Sequence, residues 1–188
     1  MLGALVALAV TTGNVALADD GAPLTKPVTG VFTAKPVNAK TRTCMGADGP
    51  YLEVSGKFGG TITSDDARVS GSLEFQTHAL VNLGTGLGNF EGSFSIDSPA
   101  PGGGARGVFF TVVTAGGQNH GFARGKLGGG NDEGEHDGEG GGPDFFARYQ
   151  ATVDASLNVS GGFGGPGDAV APAIIQSGRC SGRWTRIP

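Results

Sequence analysis

The chain has 188 residues, which is enough for one domain with a substantial core and too few for two ordinary domains. Its 37 glycines follow no Gly-X-Y repeat, and 38% hydrophobic residues can build a core, so collagen and an intrinsically disordered chain are excluded. A formal net charge of −4, without a basic stripe, excludes an ordinary nucleic-acid-binding protein.

The first 18 residues are uncharged and end in Ala16-Leu17-Ala18. A short apolar run before an A-x-A pattern is typical of a secretory signal peptide, and this run is too short to span a bilayer. We therefore predict a signal peptide at 1–18, a flexible segment at 19–28, and a secreted or periplasmic protein. The segment lacks the basic residues that usually open such a signal, and an apolar strand or helix packed on the domain is the alternative.

From residue 29 to the end, the dominant pattern is alternation of apolar and polar residues, the signature of strands with one buried face. The clearest case is Arg68–Asp97, where two alternating runs flank a turn punctuated by glycines. We predict ten strands, near 30–34, 39–44, 51–58, 60–63, 68–81, 89–97, 106–114, 121–127, 145–160 and 173–184. This pattern predicts one all-β domain, a closed antiparallel β-barrel of about eight strands, with a β-sandwich as the alternative.

Two runs stand out among these strands. Residues 145–159 keep one apolar face throughout, which predicts a single long, coiled barrel strand. The run GVFFTVV at 107–113 is apolar at both parities, so we expect both of its faces to be covered.

The two cysteines, Cys44 and Cys180, lie near the first and last predicted strands. Behind a signal peptide, an even cysteine count favours a disulfide. Because the first and last strands of an up-and-down barrel are neighbours, we expect a Cys44–Cys180 bridge to lock its closure. Two buried free thiols are the alternative. Two cysteines without a nearby histidine do not make a metal site.

Residues 128–143 form an acidic, glycine-rich segment between two predicted strands. Its carboxylates have neither the spacing of an EF-hand loop nor that of a calcium-binding β-roll, so we interpret it as a solvated hairpin loop. Whether it binds Ca²⁺ stays open. We predict no metal site and no cofactor.

The alternation places candidate ligand contacts on both faces of the strands. On the apolar side we expect Phe75, Phe90, Phe94 and Phe110 to line a lumen that holds a small ligand. The polar side carries a second set: Glu74, Gln76, His78, Glu91, His120, Arg124 and Arg148. If these residues pointed into the lumen, Glu74 and His78 would contact the ligand and supply acid–base chemistry. Apolar faces usually turn inward in a water-soluble barrel, which favours an ordinary wet surface for them.

The chain contains no nucleophile elbow, phosphate-binding loop or zinc motif. The run GTGLGNFEGSFSI at Gly84–Ile96, followed by 107–127, resembles the glycine-phenylalanine hairpins of allene oxide cyclase-like and dirigent-like barrels. This resemblance implies an eight-stranded antiparallel barrel with an apolar lumen. Some members of that superfamily steer the cyclisation or coupling of reactive intermediates, and others have no known activity. No catalytic residue of those families matches a position in this chain.

Three functions therefore stand as expectations. The first is a secreted barrel that binds a small hydrophobic molecule in its lumen. The second is a cyclase or isomerase of the allene oxide cyclase-like type, and the third is a structural or self-assembling extracellular protein. We lean away from an enzyme, expect no nucleic-acid partner and no membrane span, and leave open whether the chain forms a homo-oligomer.

Overall fold

The computed structural model of the protein describes residues 28–128, 144–164 and 185–186. These ranges contain a short 3-10 helix at Ala67–Val69 and antiparallel strands in a single sheet. The strands are β1 (Gly30–Gly46), β2 (Gly49–Ser64), β3 (Gly71–Asn82), β4 (Gly88–Asp97), β5 (Ala105–Val113), β6 (Gln118–Leu127), β7 (Asp144–Val153), β8 (Val159–Phe163) and β9 (Thr185–Arg186).

The sheet closes on itself as an eight-stranded antiparallel β-barrel, which confirms the predicted fold class. Each strand from β1 to β7 pairs with the next one along the chain. Closure comes from β8, whose Val159 and Phe163 lie opposite Ala34 and Gly30 of β1. The short strand β9 pairs with Lys40 and Thr41, farther along β1.

The alternation in the sequence decides which face of each strand is inside. Inward side chains of successive strands meet in two adjoining apolar clusters that fill the barrel. The buried members of the larger cluster are Ile62, Val69, Leu73, Phe94, Ile96, Ala105, Phe109, Leu127, Phe145, Ala147 and Phe163. The interior is therefore a packed core with local gaps, as expected for a barrel of this strand number.

Several predicted strand boundaries were wrong. The predicted long strand at 145–160 is a hairpin, because β7 ends at Val153 and β8 starts at Val159. The Asp154 carboxylate accepts hydrogen bonds from the backbone N–H groups of Ser156 and Asn158, each at 2.8 Å, and Leu157 adopts a φ of 61°. The Asp154 side chain thus stabilises a turn that reverses the chain, while apolar residues still occupy every second position of the sequence.

The short segments predicted at 30–34 and 39–44 form the single strand β1, with a register irregularity between Pro36 and Asn38. Those predicted at 51–58 and 60–63 likewise form β2. Long strands that bend at bulges and glycines suit the curvature of a closed barrel.

The expectation that both faces of GVFFTVV are covered was also wrong, since Val108 on the outer face is 48% exposed.

Cys44 is buried in β1, where it packs with Tyr51 and Leu80 in a small apolar cluster. Cys180 lies outside the described residues, so the disulfide stays a prediction. The predicted signal peptide at 1–18, residues 19–27 of the predicted N-terminal segment and residues 129–143 of the acidic segment lie outside them as well. Within the described ranges, no helix is long and apolar enough to cross a membrane.

Candidate ligand-binding cavity

The interior of the barrel contains a cavity of about 90 Å³ between the two core clusters. Its wall is built from inward side chains of all eight strands from β1 to β8 and is almost entirely apolar. The lining residues are Phe32, Ile62, Leu73, Phe75, Phe90, Phe94, Ile96, Phe109, Ala123, Phe145, Ala147, Tyr149, Ala151, Val159 and Phe163. A site of this composition favours apolar ligands, because it offers almost nothing for a polar group to bind.

Aromatic rings support one another around the cavity. Phe75 stacks on Phe58 with ring centroids 4.9 Å apart, and meets the edge of Phe109 at 5.7 Å. Phe109 in turn has an edge-to-face contact with Phe90 at 6.5 Å. Such offset and edge-to-face pairs hold the rings in defined orientations, which gives the cavity a fixed shape.

The polar group nearest the cavity is the hydroxyl of Tyr149. It is hydrogen-bonded to the hydroxyl of Thr111; the Thr111 side chain is fully buried, and that of Tyr149 is partly buried. Burial raises the pKa of Tyr149 above its ordinary value, and the hydrogen bond to Thr111 offsets only part of that effect. Tyr149 therefore stays protonated at neutral pH and does not serve as a base.

A glycine makes room for that tyrosine. A Cβ atom on Gly121 would lie 2.6 Å from Cζ of Tyr149 and 2.4 Å from the carbonyl oxygen of Phe110. Neither contact is sterically allowed, so only glycine lets the Tyr149 ring approach β6 this closely. The glycine at this position thus leaves room for the Tyr149 ring, which forms part of the cavity wall.

The structure separates the four predicted lumen phenylalanines. Phe75, Phe90 and Phe94 line the cavity, whereas Phe110 does not. Phe110 lies on the outer face, with its ring centroid 6.2 Å from that of Phe122, and its neighbour Phe109 takes the inward place. In a run that is apolar at both parities, the sequence pattern does not reveal which ring faces inward.

Glu74 and His78 also lie outside the barrel, so neither contacts the cavity. Glu74 forms an ion pair with Lys57 at 2.6 Å, and both side chains are about half exposed. His78 lies on the polar face of the same strand as Glu74, but it does not pair with Glu74. Its Nε2 atom lies 2.7 Å from the carboxylate of Glu53 on the adjacent strand β2.

Glu53 is the most distinctive polar residue of the outer wall, and the sequence analysis missed it. Its side chain is 8% exposed, and its carboxylate accepts a hydrogen bond from Nε of Arg42 at 2.5 Å, in addition to the contact with His78. Burial alone raises the pKa of Glu53, but the hydrogen bonds and charges of Arg42 and His78 outweigh it and hold that pKa below its ordinary value. Only the strand register brings these three residues together.

Among residues 28–128 and 144–164, no group of three or more His, Cys, Asp or Glu side chains is arranged to hold a metal ion. Comparisons with protein-family models, with curated proteins and with solved structures find no match to this chain. The likeness to allene oxide cyclase-like barrels thus remains an expectation from the sequence.

Proposed function

We propose that this protein binds a small hydrophobic molecule in the lumen of its barrel, and that it does so outside the cytoplasm. The observation that supports the binding function is the apolar cavity of about 90 Å³, which is lined largely by phenylalanine rings. A tightly packed core would close such a gap, because each unfilled cavity costs stability. The sequence pattern of residues 1–18 supports the location.

The size of the cavity limits the ligand. An engineered cavity of about 150 Å³ binds benzene in another protein, so this cavity suits a ligand no larger than benzene or one end of a longer apolar chain. The lack of accessible polar atoms in the wall limits its chemistry as well. A hydroxyl or carboxylate inside would lose its hydrogen bonds to water without replacement, so the buried part of the ligand is a hydrocarbon.

Benzene is a direct probe of the cavity. We expect titration with benzene to shift the NMR signals of Ala123, Ala147 and Val159, which line the wall. Phenol has nearly the same shape but carries a hydroxyl group, and it should bind at least about tenfold more weakly. Ala123→Leu fills the cavity and should abolish the shifts.

Ala115→Leu provides the matched control, because Ala115 is exposed in the turn between β5 and β6. This variant should bind benzene as the unmodified protein does. Equal binding of benzene and phenol, or benzene binding that survives Ala123→Leu, would show that the probe binds elsewhere and would contradict the proposal.

The cyclase or isomerase alternative receives less support from the site. Acid–base chemistry in the lumen needs a group that gains or loses a proton there, and Glu74 and His78 lie on the outer wall. Tyr149 stays protonated near the cavity. The alternative of a structural or self-assembling protein has no specific observation in its favour, and both remain predictions.

A further inference from the structure

The lumen of the barrel carries a polar side chain for which the apolar core gives no reason. Asn119 lies in β6 at the same parity as Ala123, which lines the cavity, and as Leu127, which belongs to the larger core cluster. Side chains at one parity of a strand share a face, so the amide of Asn119 points into the barrel. The residue is only 2% exposed, although asparagine is mostly found at protein surfaces.

The strand register places Asn119 at one end of the cavity, towards the turn between β5 and β6. Its partner on β5 is Val113, and its partner on β7 is Ala151. Directly opposite residues of an antiparallel pair have Cβ atoms about 5 Å apart. Ala151 is part of the cavity wall. The amide therefore lies one side chain beyond that wall.

The amide of Asn119 is unpaired. Among the residues that the structure describes, none forms a hydrogen bond with it. Both of its cross-strand neighbours are apolar, and the hydroxyls of Thr111 and Tyr149, on the next row of the same inner face, bond to each other. A buried amide without a partner costs stability, because it has given up its hydrogen bonds to water. Such a group in a native protein calls for a bound partner.

The space beside this amide is accessible to a small group. In the described part of the chain, no fully enclosed side-chain nitrogen or oxygen lacks a hydrogen-bond partner, so the unpaired atoms of Asn119 border an accessible space. A lone water molecule would be held poorly there, because buried waters make about three hydrogen bonds and the facing side chains are apolar. A group tethered to a tail in the cavity would be held by the tail as well.

We propose that Asn119 binds the head group of a small neutral amphiphile whose short hydrocarbon tail fills the cavity. This inference rests on the proposed function, since the cavity must hold the tail, and the head group lies beyond it. The amide of asparagine both donates and accepts hydrogen bonds, so a hydroxyl or a primary amide can pair with it in both senses. No charged side chain lines the cavity, and an ammonium or carboxylate head group would therefore lack a counter-charge.

1-Pentanol is a suitable probe, because its head group is neutral and its tail has one carbon fewer than benzene. We expect it to shift the NMR signals of the Asn119 side-chain amide together with those of Ala123 and Ala147. Benzene should shift the two alanine signals with less effect on the amide. Pentylammonium and pentanoate at pH 7 should bind at least about tenfold more weakly than 1-pentanol.

Asn119→Leu replaces the amide with an apolar group of similar branching. It should weaken 1-pentanol binding about tenfold, which corresponds to the loss of a hydrogen bond, and should keep benzene binding. Asn119→Ala leaves the space open, so the same loss in this variant would exclude simple blocking by the leucine. Asn89→Leu is the matched control, because Asn89 precedes the cavity residue Phe90 in β4 and so points outward. It should bind both probes as the parent does.

Benzene separates this inference from the proposed function. If benzene does not bind the parent, the lumen is not a binding site and both are overturned. If benzene binds but 1-pentanol does not, or if 1-pentanol binds the parent and both Asn119 variants equally, only the role of Asn119 is overturned. An equal loss of 1-pentanol binding in Asn89→Leu would overturn that role as well.

Discussion

At the scale of single residues, the buried carboxylate of Glu53 makes the clearest prediction about stability. Glu53→Gln removes the charge that faces Arg42 and His78 and should lower the free energy of unfolding at pH 7 by about 1–3 kcal/mol. The folded state holds the pKa of Glu53 below its ordinary value. Its contribution is therefore complete above the unfolded pKa of about 4.3 and is lost as the pH falls through the lower folded value. Urea denaturation from about pH 6 to about pH 3 should show parent and variant converging in stability at the acidic end.

Glu74→Gln serves as the comparison, because it is the same substitution on the same outer wall. Its pair with Lys57 is about half exposed and contributes less than about 1 kcal/mol. If both variants lost the same stability at pH 7, or if the Glu53 variant did not converge with its parent in acid, the buried network would not have the role assigned to it.

At the scale of the elements, the pairing of β6 with β7 makes the long connection between them dispensable for folding. Lys126 lies opposite Asp144 in the register, and their side chains form an ion pair at 2.6 Å. The two strand ends are therefore already adjacent, and a short turn can join them. Replacing residues 129–143 with Gly-Asn-Gly-Lys should change the melting temperature by only a few degrees.

Circular dichroism and thermal melting would check this replacement, with Gly116-Gly117→Ala-Ala in the β5–β6 turn as a deliberately strained comparison. Gly117 has a φ of 72°, so an alanine there should be destabilising. A collapse of the barrel in the replacement variant would show that residues 129–143 hold the fold together.

The strands and turns also show how much of the fold the sequence pattern could predict. Alternation was sufficient to predict an all-β barrel and the inward positions of Phe75, Phe90 and Phe94 in its wall. It failed at Asp154–Asn158, where an Asp-nucleated turn keeps apolar residues at every second position and so looks like a continuing strand. It also failed at Phe109 and Phe110, where both parities are apolar. The contact between Glu53 and His78 lies diagonally across two strands, and no local pattern encodes the register that creates it.

At the scale of the whole molecule, the predicted Cys44–Cys180 bridge would link β1 to a residue near the C-terminal end of the chain. The chain-entropy model assigns a loop of this length a stabilisation of at most about 5 kcal/mol. Reduction with dithiothreitol should therefore lower the melting temperature by several degrees or more, and Cys44→Ser should reproduce the shift. Intact mass spectrometry should find the mature protein starting at Asp19 and lighter by two hydrogen atoms than its reduced form.

Cys44→Ala separates the bridge from packing, because Cys44 is buried beside Tyr51 and Leu80. Without a bridge, reduction would leave the melting temperature of the parent unchanged, and that result would contradict the prediction. With a bridge, the alanine variant should melt close to the reduced parent and should not respond to dithiothreitol.

Closure of the barrel also bears on how the protein avoids aggregation. Unpaired strand edges are where foreign strands add on, and a closed barrel has few of them. In the part of the chain that the structure describes, β1 pairs with β8 as far as Ala34 and with β9 from Lys40, which leaves a short open stretch between them. Pro36 lies within that stretch and has no N–H to donate, and the irregular register beside it distorts the edge. Among the described residues, this stretch of the β1 edge is thus protected against fibril-like growth by the residues that occupy it.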